Sequence, residues 1–285
     1  MEKYTIEREI RIGRFVRLLL CSPNGKQRQV AIKVIHKKNS DVDLVSLRNE
    51  RGIMEVLFHP NIVRCIDSFE DEEDIYIVME YVSRGNLKQL MERQRLSEKQ
   101  IVRILEQTLL ALHYMHSKGI IHRDIKPEHI LLDDELNVKI CDFSIAKNVN
   151  SSETDTMEGY MAKCYASPEM IVGMEYSFVT DIWSIGVVLY EMLTGNFPFK
   201  QPSAFLNGQP TPMDESINET LRKITLLMLN GNQNKRPNAE CLIRVLDREY
   251  EEITQNSTVR APLSESEDAS STSSYTSESE YDSSS

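Results

Sequence analysis

His122-Arg123-Asp124-Ile125-Lys126-Pro127 is the stretch on which the reading of this 285-residue chain turns. It lies between two different kinds of sequence. Upstream, Glu98–Lys118 spaces Ile101, Ile104, Leu105, Leu109, Leu112, Tyr114 and Met115 at helical intervals and predicts a long amphipathic helix. Downstream, Ile130–Leu132 and Val138–Ile140 are short strand-like runs around a polar turn.

Farther out, the two ends of the chain differ. Toward the N-terminus, Tyr4–Ile12, Val16–Cys21, Gln29–Ile35 and Ile75–Val82 read as strands, with Pro23-Asn24-Gly25 as a turn and Arg84-Gly85-Asn86 as a break. One segment there, Asp41–Leu57, has a helical period and ends before His59-Pro60. Toward the C-terminus, Asp181–Leu193, Ile217–Leu229 and Ala239–Arg248 read as helices. The expected fold is α+β and bilobal: a small strand-rich part over 1–82, a larger helical part over 83–252, and a tail over 253–285. No internal repeat is visible.

The tail is built from Ser, Thr, Glu and Asp with scarcely a large apolar residue, so it cannot bury enough surface to offset its ordering entropy and is expected to be disordered. Ser264, Ser277 and Ser279 each have an acid three residues on, which suits an acid-directed kinase as a modifying partner. A passive solubilising tail reads equally well. The net charge is −11, of which six acids lie in 264–285, leaving a mildly acidic body. That balance argues against nucleic acid as a partner, because phosphate-backbone affinity needs clustered Lys and Arg. No apolar run is long enough for a membrane span, and the charged start Met1-Glu2-Lys3-Tyr4 lacks a signal-peptide core. The five cysteines are scattered without a C-x-x-C pair. An intracellular, cytoplasmic or nuclear protein with free thiols is expected.

At Val30-Ala31-Ile32-Lys33 and His122-Arg123-Asp124 the chain resembles the eukaryotic protein kinases of serine/threonine type, and the match runs in order for about 250 residues. The Ser167-Pro168-Glu169 variant and Phe69–Tyr81 are faintly similar to the NIMA-related members. The resemblance implies ATP and Mg²⁺, with Mn²⁺ as an alternative, and an unidentified protein substrate. It implies that Lys33 holds phosphates and pairs with Glu50, with Glu55 as the other candidate. Asp124 would orient the acceptor hydroxyl and take its proton, Lys126 would neutralise the moving phosphate, and Asp142, in Cys141-Asp142-Phe143-Ser144, would hold magnesium. Around the nucleotide it places Ile12, Gly13 and Val16 of the glycine-rich loop, Ala31 and Leu131 against the adenine, Met79 at the gatekeeper, and Glu80-Tyr81-Val82 at the hinge. Structural roles fall to His122 and Phe143, which would stack with Met54 and Cys65, and to the Glu169–Arg236 pair. Asp181 would brace the catalytic loop, and Arg123 would answer a phosphate on Ser151, Ser152, Thr154 or Thr156.

Three positions depart from the family pattern. The glycine-rich loop reads Ile12-Gly13-Arg14-Phe15-Val16-Arg17-Leu18, with one glycine and two or three residues missing. The lost glycines would have let backbone N–H groups approach phosphates, and Arg14 or Arg17 could substitute charge. His129 stands where the pattern has a metal-binding asparagine, although magnesium prefers oxygen and imidazole suits softer ions. Glu128 is a neighbouring oxygen donor, expected to point elsewhere. Ser144 replaces a glycine. Two functions stay open: an active ATP-dependent serine/threonine kinase with weakened or metal-shifted activity, and a pseudokinase acting as an interaction or allosteric module.

Overall fold

The computed structural model describes residues 1–13, 16–25, 28–37, 44–150 and 164–250. Its N-terminal part is a five-stranded antiparallel sheet in the order β1-β2-β3-β5-β4, from β1 (Tyr4–Ile12), β2 (Val16–Pro23), β3 (Val30–His36), β4 (Cys65–Glu70) and β5 (Asp74–Glu80). The helix α1 (Leu44–Val56) enters between β3 and β4.

The two-residue period of a strand explains how this sheet aims its residues. In β3, Val30, Ile32 and Val34 join Leu19, Cys21, Tyr76 and Val78 in a cluster on one face. Ala31 and Ile35 turn to the other face and enter the main core with Ile75, Ile77 and Met79. Lys33 lies between Ala31 and Ile35 and opposite Ile77, so it shares the core-facing side. β4 was not anticipated. Its sequence Cys-Ile-Asp-Ser-Phe-Glu has two acids and no clean alternation, and it is fixed by pairing with β5 at the sheet edge.

The C-terminal part is helical. Between α2 (Leu87–Arg93) and α3 (Glu98–Ser117) the chain turns in four residues, and each helix begins with a capping box, Asn86 with Gln89 and Ser97 with Gln100. The helix α2 was not anticipated either, because Arg84-Gly85-Asn86 reads first as a break. Two short antiparallel ladders follow: the hairpin of β7 (Ile130–Leu132) with β8 (Val138–Ile140), and the pair of β6 (Ile120–Ile121) with β9 (Lys147–Asn148), whose strands flank that hairpin in sequence. The segment between β6 and β7 carries the opening motif and is held at both ends by these ladders.

Beneath it lie α4 (Pro168–Ile171), α5 (Val179–Thr194), α6 (Pro202–Leu206), α7 (Glu219–Met228) and α8 (Ala239–Glu249). The centre is α5, buried from Thr180 to Tyr190. Gly186 brings α5 against α7, since a Cβ there would stand 2.8 Å from the Met228 Cβ. The strand-rich and helical parts give the bilobal α+β architecture. Among the described residues no helix is long and apolar enough to cross a membrane. The tail lies outside the described residues.

Candidate active site

The segment from His122 to His129 is anchored from below by one carboxylate. Asp181, in the first turn of α5 and fully buried, accepts the backbone N–H groups of His122 and Arg123, each at 2.9 Å. It also meets His116 Nε2 at 2.9 Å. Burial would push its pKa up, but His116, then His122, hold it below its ordinary 3.8. Arg123 needs this support, because its φ of 67° is left-handed, a conformation that costs a residue with a Cβ about 1–3 kcal/mol.

Two histidines in the segment have their tautomers set by backbone groups. His122 Nδ1 accepts the Asp124 N–H at 3.2 Å, so its proton is on Nε2 and donated to Cys141 O at 3.1 Å. Burial lowers its pKa and keeps it neutral. At His129 both ring nitrogens face oxygen acceptors. Its Nδ1 lies 2.9 Å from the Asp124 carbonyl oxygen, which can only accept, and 3.3 Å from Asp124 Oδ2, so Nδ1 carries the proton. Its Nε2 faces Asp142 Oδ2 at 3.2 Å. One imidazole thus links the two carboxylates singled out in the sequence. Lys126 Nζ donates to Asp124 Oδ2 at 2.7 Å.

Lys33 crosses from the sheet to meet Glu50 Oε1 at 2.6 Å and Asp142 Oδ1 at 3.4 Å. Glu55 is not its partner; that side chain takes Arg51 Nε at 2.9 Å and Ser68. Burial favours the uncharged forms of Lys33 and Glu50, yet Glu50 and Asp142 hold the Lys33 ammonium charged, above its ordinary value. Asp142 is left-handed, with φ 65°. Burial would raise its pKa, but Lys33, with help from His129 and the Ser144 hydroxyl, keeps it well below the usual carboxylate range. Phe143 is fully buried, 5.1 Å from the His122 ring, in the core that holds Met54 and against which Cys65 packs.

Along the cleft, Ala31 and Met79 pair across β3 and β5 and are buried, while Val16, Val82 and Leu131 are half-buried at the core margin. Ile12 is exposed and Gly13 N–H donates to Val16 O at 2.8 Å, closing a short β1–β2 turn. Arg14 lies outside the described residues. Arg17 is engaged by Glu9 on the exposed face of the hairpin. The Glu80 side chain is taken by Arg64 N–H and Lys139 Nζ, both at 2.8 Å. The Glu128 carboxylate acts electrostatically on Tyr165 and Glu191, on the α5 side.

The architectural pair is closed. Arg236 meets Glu169 through two bonds of 2.5 and 2.7 Å, stacks 4.9 Å over Trp183, and donates to Asn230 O at 2.7 Å. Arg123 donates to Ile145 O and, at 2.7 Å, to the Tyr176 hydroxyl. Ser151, Ser152, Thr154 and Thr156 lie outside the described residues. His116 and Tyr176 act at the site without having been read from the sequence, and Ser144, read there only as a replacement for glycine, bonds Asp142 through its hydroxyl. Nothing in the spacing of α3 marks His116, although its place in the last turn, 65 residues before Asp181, is a contact only the fold can create.

A profile of the protein kinase domain matches residues 4–246. The chain belongs to the protein kinase family, of serine/threonine type. The kinase is 33% identical to mouse Aurora kinase B over 268 residues, 93% of this chain and 72% of that protein. It is 33% identical to the hormonally up-regulated neu tumor-associated kinase homolog of Xenopus tropicalis over 255 residues, covering 83% and 36%. With mouse serine/threonine-protein kinase 36 the identity is 37% over 209 residues, covering 72% and 16%. The kinase spans about a third or less of the length of the last two.

The donor set can be tested against the divalent ion that kinases use. Asp142 offers a partly exposed, ionised carboxylate, which fits one Mg²⁺ completed by phosphates and water. At position 129 the nitrogen donor does not fit a second Mg²⁺. Among the described residues no three His, Cys, Asp or Glu side chains form a ready cage.

Proposed function

We propose that this kinase is catalytically competent and transfers the γ-phosphate of ATP to serine or threonine hydroxyls of a protein substrate. The observation that carries the proposal is the closed ionic network Glu50–Lys33–Asp142 beside Lys126–Asp124. Phosphoryl transfer is catalysed by position and charge, and these five groups supply both.

In this reading the Lys33 ammonium, kept charged and aimed by Glu50, holds the triphosphate at the cleft. The hinge backbone at Glu80-Tyr81-Val82 receives the adenine, between Ala31 and Leu131 with Val16 above. Asp142 would hold a divalent ion, which would supply neutralising charge to the phosphates. Asp124 orients the acceptor hydroxyl and takes its proton as the new O–P bond forms and the bond to the ADP oxygen breaks. Lys126, 2.7 Å from Asp124, screens the charge that develops between them. Arg123 is the natural partner for a phosphate on the following segment, and Ser264, Ser277 and Ser279 suit an acid-directed kinase. The free cysteines accord with an intracellular setting, cytoplasmic or nuclear.

The second reading, a pseudokinase serving as a binding module, is favoured by His129 and the short β1–β2 turn. Radiolabel transfer to a generic basic protein, with Mg²⁺ and with Mn²⁺, separates the two. Competence predicts transfer that Asp124→Asn abolishes while nucleotide binding, followed by thermal shift, persists. Nucleotide binding without transfer under either metal would decide for the binding module.

A further inference from the structure

We infer that the pocket between α4, α6 and the 231–234 loop is the docking site of this chain's own segment Val259-Arg260-Ala261-Pro262-Leu263, bound within the same molecule. The pocket encloses about 330 Å³, at the small end of cavities that take ligands and enough for an apolar anchor. One wall is apolar, where Val172, Met174 and Leu206 stand 52%, 62% and 44% exposed. The other wall bears amides, from Asn232, Gln233 and Asn234. Gln233 Nε2 donates to Glu175 O at 2.9 Å, which fixes that wall in place. Exposed apolar side chains gathered around a concavity mark a surface that another segment covers.

Composition, reach and charge choose the occupant. Over 254–285 the large aliphatic side chains are Val259 and Leu263, with Pro262 between them. The step into a proline favours extended backbone, the form in which a peptide lies along a groove. Arg236-Pro237-Asn238 leads from the amide wall into α8. From Asn234 to Asn238 the chain spans at most about 15 Å. The helix α8 with its caps adds about 18 Å. Tyr250 is thus within about 33 Å of Asn234, whereas the chain from Tyr250 to Leu263 extends to about 43 Å, which leaves slack to follow the surface. A segment tethered in this way meets the pocket at an effective concentration on the order of mM, so a modest contact holds it. Lys235 borders the amide wall, is exposed, and has no carboxylate partner among the described residues. Just past Leu263 the chain supplies Glu265, Glu267 and Asp268 to answer it.

Arg260 is the only Lys or Arg in 251–285, so trypsin cuts the tail at one bond, inside the docking segment. The full chain is digested briefly, and release of the fragment 261–285 is timed by mass spectrometry. Cleavage follows the undocked population when docking is fast. Met174→Ser with Leu206→Ser changes exposed side chains outside the catalytic machinery and should speed release about 5-fold or more. Leu263→Ser, which leaves every described residue unchanged, should do the same. Combining the two sets should gain less than the product of their separate effects, because both remove one contact. Unchanged release in the variants, or full multiplication in the combination, overturns the inference. Should the pocket variant not fold, Leu263→Ser alone decides, and an unchanged rate there refutes the docking. The parent is also digested over a range of chain concentrations. A constant rate supports docking within one chain; protection that grows with concentration assigns the segment to a second copy and overturns it.

Discussion

Replacing Asp181 with asparagine isolates the brace beneath the catalytic segment. The carboxylate is fully buried and accepts two successive N–H groups at 2.9 Å each, while a third contact comes from His116. Asparagine keeps the shape but presents one oxygen and one NH₂. One backbone N–H keeps a neutral acceptor in place of a charged one, a loss of about 1 kcal/mol. The other faces a donor and is left unsatisfied, at about 1–3 kcal/mol. The sum, about 3 kcal/mol, should lower Tm by about 6–12 °C for a domain of this size. Scanning calorimetry gives the total, and hydrogen exchange at the His122 and Arg123 amides shows whether the loss is local. A Tm within about 2 °C of the parent, with those amides still protected, would refute the reasoning. The pH dependence has a definite sign. Asp181 has a folded pKa below its ordinary 3.8, so its contribution is complete above that value and is lost as pH falls through the folded pKa. The variant should therefore lose less stability than the parent below about pH 4.

Arg236→Met should destabilise by about 3–5 kcal/mol, because Glu169 is left charged and buried, whereas the double change with Glu169→Met should recover most of that loss in urea unfolding. Gly186→Ala should cost about 1–3 kcal/mol by pushing α5 off α7, and trimming Met228 to alanine alongside it should yield less than additive damage.

The sequence order of the motifs was sufficient to fix the family and the two-part architecture, because each motif sits on an element whose period is plain: Lys33 in a β-branched strand, Asp124 in a polar break after a strongly amphipathic helix. Of the elements that escaped, β4 and α2 have weak intrinsic patterns and are decided by neighbours, the β5 ladder in one case and the Asn86–Gln89 cap in the other. At the site, the same-face relation of Ala31, Lys33 and Ile35 was implicit in the two-residue period. The link from Asp124 through His129 to Asp142 was not. It depends on which ring nitrogen a backbone carbonyl claims, and no spacing rule encodes that choice. His129 stood out by its departure from a pattern, while its effect comes from the geometry.

Strand β1 has a consequence for how the molecule behaves in a crowd. It is the outer strand of the five-stranded sheet, exposed from Thr5 to Ile12, and it carries Ile6, Ile10 and Ile12 toward solvent. Such an edge invites another copy to add a strand, with open peptide groups as the template and isoleucines as the adhesive. Two features work against that. Glu7, Arg8, Glu9 and Arg11 alternate sign along the edge, and two register shifts, at Ile6/Arg8 and Glu9/Arg11, spoil the even spacing that a second strand would require. The irregularities of this hairpin thus serve solubility, and sequence changes that smooth it would trade a neater sheet for self-association.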